Sequence, residues 1–237
     1  MAKKKPKEGR AKGKFFVERV PTGVPGLDRL IEGGFVKGST TLLAGGTGTG
    51  KTIFCCQFLL EGLKRGEKCL YLTLEESPQD IIGDVERFGW DFGDYVKSGR
   101  LRIEYRNPFE LTGVSKGAFD HLNMKAYSRV AIDSTSVMGL YFKNPFEIRK
   151  QIFSVLDALK KSGATVLITA ESPEDGRTLT KFGVEEYVTD GVVVLHYLGL
   201  GGSVYHSLQI RKMRRTNHGK DVYPMDITDR GILLRKA

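Results

Sequence analysis

Short apolar runs alternate with helical repeats along the first two thirds of the chain. Mostly apolar runs of strand length lie at residues 41–44, 68–74, 129–134 and 164–169. Between them, apolar side chains recur every three or four residues, as over 51–65 and 145–162, which is the spacing of one helix face. The pattern predicts an α/β fold with right-handed crossovers and a mostly parallel central sheet flanked by helices. In such a sheet, ligands bind at the carboxyl edge of the strands.

The pattern changes after Gly183. Three strand-like runs separated by turn sequences follow, at 191–198, 203–214 and 221–234. Runs of this kind predict antiparallel β-hairpins at the C-terminal end of the domain. Elsewhere the sequence predicts a helix around 119–127, a loop over 134–144 and an exposed loop over 171–180.

Composition limits the class of protein. The chain has 237 residues, of which 40% are hydrophobic, enough to bury the core of one large domain. No run of 18 apolar residues occurs, which argues against a membrane-spanning helix, and no apolar signal core follows the basic start. Cys55, Cys56 and Cys69 lack metal-site spacing and are interpreted as buried hydrophobes of a reducing cytosol. We therefore expect a cytoplasmic protein.

Positive charge is concentrated at the start of the chain. The net charge is +9, and residues 1–14 carry seven basic side chains against Glu8, which makes +6. One interpretation is a disordered, solvated tail that precedes a single domain of residues 15–237. The other is an arm that binds nucleic acid. The first is favoured, because blocks of like charge are often disordered without a ligand.

A glycine-rich turn joins the first apolar run to a helical repeat and fits the spacing G-x-x-x-x-G-K-[ST]. The turn comprises Gly45, Gly46, Thr47, Gly48, Thr49, Gly50, Lys51 and Thr52. Glycines let successive N–H groups converge on one concavity, and the helix start adds the positive end of its dipole. Lys51 is placed to reach the β- and γ-phosphates, and the Thr52 hydroxyl to ligate Mg²⁺. The turn therefore predicts a site for a nucleoside triphosphate with Mg²⁺.

Carboxylates follow two of the predicted strands. Asp133 lies at the end of the 129–134 run, where a carboxylate can hold Mg²⁺ beside a bound nucleotide. Glu75 and Glu76 follow the 68–74 run, where one of them can orient and deprotonate an attacking water. Because consecutive strand residues face opposite ways, we expect only one of the two to point at the nucleotide. The sequence does not say which.

A basic cluster lies far along the chain. Lys212 and Arg214 are two residues apart on a predicted strand and so share a face. Three interpretations stay open from these residues alone. The cations could neutralise charge on a neighbouring subunit's nucleotide, contact nucleic-acid phosphate, or belong to a solvated hairpin.

Several segments taken together resemble the KaiC-type branch of the RecA-superfamily ATPases. They are PTGVPGLDRLIEGG, GGTGTGKT, LEESPQDI, RVAIDS, FGVEEYVTDGVVVL, LQIRKMR and ITDRGILL. The resemblance implies a RecA-like P-loop NTPase core that hydrolyses ATP with Mg²⁺. It also implies a homo-oligomeric ring, usually of six subunits, with ATP held between neighbours.

The same resemblance assigns roles to individual residues. It makes Glu75 and Glu76 the catalytic pair and Asp133 the second acidic motif. Lys212 and Arg214 match the K-x-R pair that reaches the neighbour's nucleotide. Self-phosphorylating relatives carry a Ser-Thr pair where this chain has Glu186 and Tyr187, which favours ATP hydrolysis over autokinase activity. Two rival functions are a nucleic-acid-stimulated, recombinase-like ATPase and a nucleotide-gated scaffold with incidental turnover.

Overall fold

The computed structural model describes residues 16–107, 122–142, 144–173, 178–200 and 203–235. The strands are β1 (Arg19–Val20), β2 (Phe35–Val36), β3 (Thr40–Gly45), β4 (Cys69–Thr73), β5 (Leu101–Tyr105), β6 (Arg129–Asp133), β7 (Thr165–Glu171), β8 (Gly191–Leu200), β9 (Ser203–Met213), β10 (Val222–Thr228) and β11 (Gly231–Leu234). The α-helices are α1 (Lys51–Lys64), α2 (Pro78–Glu86), α3 (Phe92–Lys97), α4 (Met138–Tyr141), α5 (Pro145–Ser162) and α6 (Glu185–Val188). The predicted tail over 1–14 lies outside the described residues.

A nine-stranded sheet organises the described part of the chain, in the order β11-β10-β9-β8-β3-β7-β6-β4-β5. The six strands from β8 to β5 are parallel, and β9, β10 and β11 continue the sheet in antiparallel fashion. The carboxyl ends of the parallel strands therefore meet along one edge, as the alternation of strands and helices predicts. A separate ribbon pairs β1 with β2.

Strand β8 corrects the prediction for residues 191–198. It is not only half of an antiparallel hairpin with β9, because it also pairs in parallel with β3, with Leu43 opposite Val193. The chain reaches β8 from β7 through a crossover that contains α6, whereas only two residues separate the end of β8 from the start of β9. Crossovers give parallel neighbours and tight turns give antiparallel ones. One strand therefore joins both halves of the sheet.

Helices cover both faces of the parallel strands. Successive residues of β3 point to opposite sides, so Leu42 and Leu43 belong to two different buried clusters. The Leu43 cluster includes Phe58 of α1, and the Leu42 cluster includes Ile152 of α5. This arrangement places the start of α1 directly after the end of β3, at the carboxyl edge of the sheet.

Helix starts mostly follow their sequence signals. Ser77 caps α2 by accepting from the Asp80 N–H, with Pro78 at the first helical position. Asn144 caps α5 by accepting from the Phe146 N–H.

Two predicted segments differ from the structure. The predicted loop over 134–144 is wrong, because residues 135–137 form a 3-10 helix that leads into α4. Met138, at the start of α4, is buried in the Leu42 cluster, so tertiary packing stabilises a turn that local spacing does not signal. Within the region predicted as a helix around 119–127, the described residues form a 3-10 helix over 124–126.

Candidate active site

The glycine-rich turn forms an open loop between β3 and α1. Gly48 and Gly50 have positive φ angles of 75° and 92°. A Cβ atom at Gly50 would lie 2.9 Å from Ile227 Cδ1, whereas one at Gly46 or Gly48 would meet nothing within 4 Å. The loop thus needs glycine for its left-handed conformations, and it leaves free space in front of Gly46 and Gly48. An anion nest requires such a concavity.

The Lys51 ammonium lies against this loop. It donates to the carbonyl oxygens of Gly45 at 3.0 Å and Gly46 at 2.8 Å. Burial lowers the pKa of Lys51, while the charges of Asp133, Glu171 and Glu75 oppose that shift. A partly buried cation surrounded by carboxylates, at the start of a helix, is well placed to meet a polyphosphate.

The two predicted metal ligands are neighbours. Thr52 Oγ1 donates to Asp133 Oδ2 at 2.6 Å, although 81 residues separate them. Tyr71 donates through its hydroxyl to the same oxygen at 2.8 Å, and Thr169 Oγ1 donates to Oδ1 at 2.5 Å. Burial and the Asp133 charge raise the pKa of Tyr71, so its hydroxyl stays protonated and able to donate. A hydroxyl and a carboxylate at this separation are a donor set that fits Mg²⁺.

Glu75 and Glu76 lie in a turn after β4 rather than on the strand. Thr73 Oγ1 accepts from both of their N–H groups, at 3.4 Å and 3.0 Å. Because the strand ends at Thr73, the alternation of strand residues does not apply to the two glutamates, and both line the same cavity. Glu75 accepts from Ser134 Oγ at 2.5 Å. Burial, then the charges of Asp133 and Asp84, raises the pKa of Glu76.

These groups surround a cavity of about 220 Å³ at the carboxyl edge of the sheet. Its lining consists of Thr47, Gly48, Lys51, Thr52, Thr73, Glu75, Glu76, Asp133, Ser134 and Glu171. A second cavity of about 380 Å³ adjoins the loop on its α1 side and has a partly apolar lining that includes Ile53, Phe88 and Ile227. A polar compartment beside an apolar one matches the two ends of a nucleotide.

Tyr71, Thr169 and Glu171 also belong to this cluster, although none of them is a candidate from the sequence. The sequence predicts a loop that starts at Glu171, but this residue is the last of β7 and pairs with Gly45. A polar residue at the carboxyl end of an apolar strand was a signal for it. No comparable signal exists for Tyr71, because a tyrosine inside a buried strand reads as core.

Lys212 and Arg214 lie at the opposite edge of the sheet. Lys212 Nζ donates to the carbonyl oxygens of Glu186 at 3.0 Å and Thr189 at 2.6 Å, and burial lowers its pKa. Arg214 pairs with Asp190 at 3.2 Å. The Asp190 N–H donates to the carbonyl of Thr40, which begins β3, whereas the loop follows its end. The length of β3, roughly 17 Å, therefore separates the pair from the loop of its own chain.

Residues 20–237 match the family model described as the KaiC ATPase. The chain belongs to the KaiC family of ATPases. A crystal structure of a KaiC-like protein from the hyperthermophilic archaeon Pyrococcus horikoshii OT3 is similar to this KaiC-family chain, with a TM-score of 0.82 and 36% identity. The match covers 93% of this chain and 100% of the archaeal one.

Curated KaiC proteins are similar over the same region. The circadian clock oscillator protein KaiC of Synechococcus elongatus is 34% identical over 227 residues, which are 91% of this chain and 44% of the relative. The circadian clock protein KaiC3 of Synechocystis sp. is 32% identical over 231 residues, 92% of this chain and 46% of the relative. This KaiC-family chain thus spans less than half the length of these relatives.

The family, the fold class and the ATPase class predicted from the sequence are confirmed by these matches. The KaiC-family core is the RecA-like α/β sheet described above, with its C-terminal antiparallel strands. Within the described ranges, no helix has the length and apolar character needed to cross a membrane.

Proposed function

We propose that this KaiC-type ATPase binds ATP with Mg²⁺ in the glycine-rich loop and hydrolyses it at the contact between two protomers of a cytoplasmic ring. The observation that carries the proposal is the convergence of Lys51, the Thr52–Asp133 pair and two glutamates on one cavity. An ammonium, a metal-ligand pair and carboxylates able to accept a proton are the groups that phosphoryl transfer to water requires.

Each group has a defined part in this proposal. The loop N–H groups cradle the phosphates, and Lys51 exchanges the carbonyls of Gly45 and Gly46 for phosphate oxygens. Thr52 and Asp133 hold Mg²⁺, which supplies neutralisation of the phosphate charge. Glu75 orients and deprotonates the attacking water, because its charge acts on Lys51 and its carboxylate is held by the Ser134 hydroxyl.

The position of Lys212 and Arg214 supports a site completed by a second copy. A cation pair that lies a strand length from its own loop does not reach that loop, so any nucleotide that it meets would belong to another protomer. Lys212 also donates to the Glu186 carbonyl of α6. The neighbouring Tyr187 is 66% exposed, and the Arg149 guanidinium lies 5.9 Å from the centre of its ring. Two further aromatic residues of α5, Phe146 and Phe153, are 71% and 59% exposed.

These three exposed rings, Phe146, Phe153 and Tyr187, are here called the aromatic patch. Exposed aromatics beside arginine are typical of protein interfaces rather than of free surface. A contact between the aromatic patch of one protomer and the glycine-rich loop side of the next is head-to-tail. Such contacts close into a ring when the rotation between neighbouring subunits is a whole fraction of a turn. Six subunits is the ring size we propose, from the family resemblance.

A mixing experiment tests the proposal. Lys51→Ala should abolish ATP turnover, and Arg214→Ala should lower it at least tenfold while leaving ATP binding intact, as loss of a trans cation does. When equal amounts of the Lys51→Ala and Arg214→Ala proteins are mixed into common rings, about a quarter of the interfaces join an intact loop to an intact Arg214. Turnover should therefore reappear on mixing, with assembly followed by light scattering. Normal turnover by assembled Arg214→Ala protein would show that Arg214 does not act on the nucleotide of the neighbouring protomer.

A nucleic-acid-stimulated ATPase is the second candidate. The charge of +6 on residues 1–14 favours it. Single-stranded DNA should then bind in a salt-dependent way and raise turnover, and deletion of residues 2–14 should abolish both effects. Binding that is absent, or unchanged between 50 and 200 mM salt, would exclude this candidate.

A further inference from the structure

Tyr71 is a fully buried residue in the middle of β4, and its ring packs in the cluster beneath α1. Its hydroxyl is the only polar atom of the side chain, and that hydroxyl donates to Asp133 Oδ2 at 2.8 Å. A core position needs no hydroxyl, so a tyrosine here is suited to a specific partner. The partner is the carboxylate that, in the proposed function, holds Mg²⁺.

Asp133 is held from both neighbouring strands. In the sheet order β7-β6-β4, Thr169 of β7 donates to Oδ1 and Tyr71 of β4 donates to Oδ2. Thr52 of α1 donates to Oδ2 as well, at 2.6 Å. Three donors from three elements fix the plane of the carboxylate and occupy about three of its four lone-pair directions. The positions of these three donors therefore also determine the direction of the fourth lone pair.

We propose that Tyr71 is a positioning residue of the magnesium site, which orients Asp133 so that its free lone pair meets the metal. Mg²⁺ demands near-ideal octahedral geometry, so a carboxylate that is free to turn is a poorer ligand. Loss of a residue that hydrogen-bonds to a metal ligand typically lowers metal affinity 10- to 100-fold. This inference rests on the proposed function, because it concerns the metal that accompanies ATP.

Thr169 and Thr52 do not replace Tyr71 in this role. Thr52 itself has to face the metal, and Thr169 holds only the other oxygen. Without the Tyr71 hydroxyl, Oδ2 keeps one donor, from a residue that is also a ligand. The carboxylate can then rotate while it keeps the hydrogen bond from Thr169 to Oδ1.

The test compares Tyr71→Phe with Tyr223→Phe. Both remove one hydroxyl from a buried ring of the same cluster, but Tyr223 lies beside Gly219, away from the cavity. Calorimetry measures ADP affinity in EDTA and again with Mg²⁺. In Tyr71→Phe the affinity gained on adding Mg²⁺ should fall about tenfold, while the affinity in EDTA stays within twofold of wild type. Tyr223→Phe should keep both values, and excess Mg²⁺ should restore turnover of Tyr71→Phe.

Three results would overturn the inference. The first is a full Mg²⁺-dependent gain in Tyr71→Phe. The second is an equal loss in EDTA, which means a merely structural role. The third is wild-type protein that binds ADP with no gain from Mg²⁺, which removes the metal site itself and is visible before any variant is made.

Wild-type protein provides a second measurement if Tyr71→Phe fails to fold. The chain has nine tyrosines, whose ring Cζ carbons can be labelled with ¹³C and observed by NMR. Adding Mg²⁺ to the ADP complex should shift one buried resonance, because the metal withdraws charge from the carboxylate that the Tyr71 hydroxyl contacts. Unchanged tyrosine resonances would contradict the role.

Discussion

The residues of the cavity differ in how tightly the protein holds them. Asp133 accepts hydrogen bonds from three side chains, and Glu75 accepts one from Ser134. Glu76 is bound to the turn through its backbone, and its pKa is raised. The adjacent glutamates thus have different environments, which is how a site gives similar carboxyl groups different tasks.

Substitution of each glutamate separates those tasks. Glu75→Gln should lower kcat by about 100-fold or more, the effect of losing a positioned base, while Glu76→Gln should lower it less. Single-turnover assays on assembled protein measure both. A larger effect for Glu76→Gln would reverse the assignment of the base.

The pH dependence of kcat reports the Glu76 charge. Its pKa lies above the usual 4.5, so acidification protonates Glu76 while most carboxyl groups are still ionised. If the charged form contributes to turnover, kcat should begin to fall above pH 4.5 as the pH is lowered. In Glu76→Gln the fall should move to lower pH. An unchanged profile in the variant would show that another group titrates.

At the scale of elements, left-handed backbone conformations and the packing of β10 both shape the loop between β3 and α1. Gly50 has a positive φ and its missing Cβ faces Ile227 of β10, so strand β10 packs directly on the loop. Gly46 has neither constraint. The antiparallel strands therefore support the phosphate loop of the parallel ones.

Two alanine substitutions test this support. Gly50→Ala should lower the free energy of unfolding by about 1–3 kcal/mol, because alanine is strained at positive φ and meets Ile227. Gly46→Ala is the matched control and should change it by less than about 0.5 kcal/mol. Urea unfolding of both proteins measures the difference. Equal stability of the two variants would contradict the packing argument.

The parts of the site that depend on neighbouring residues in the sequence could be predicted from the sequence. The spacing of Gly45 to Thr52 and the strand-end position of Asp133 are visible in the sequence, and the structure brings Thr52 and Asp133 together. The partners of Asp133 were not predictable, since Tyr71 and Thr169 reach it only through the order of strands. The parallel pairing of β8 depends on the same non-local order, which periodicity does not encode.

At the scale of the whole molecule, the two edges of the sheet carry complementary parts of one proposed site. The loop and its carboxylates lie at the carboxyl edge, and Lys212 and Arg214 lie at the other. Lys212 also donates to the Glu186 carbonyl of α6, the helix that carries Tyr187 of the aromatic patch. A protomer arranged in this way has two different faces for its two neighbours.

The aromatic patch should decide assembly. Phe153→Ser combined with Tyr187→Ser should yield smaller species and lower turnover, because aromatic anchors dominate interface energy. Phe16→Ser removes another exposed phenylalanine, one that is 88% exposed near β1, and should leave assembly unchanged. Light scattering coupled to gel filtration measures both. A double variant that assembles like wild type would exclude the patch from the contact.

Asp190 gives this arrangement one more consequence. It receives the Thr40 N–H at 3.1 Å, so it anchors the first residue of β3, and the same carboxylate pairs with Arg214. In the proposed ring, an Arg214 side chain that turns to the adjoining protomer's phosphate leaves Asp190. The strand that starts there runs straight into Gly45 and the loop. In the proposed ring this carboxylate would therefore link the nucleotide of one protomer to the loop strand of its neighbour, with Lys160 at 3.3 Å as its remaining cation partner.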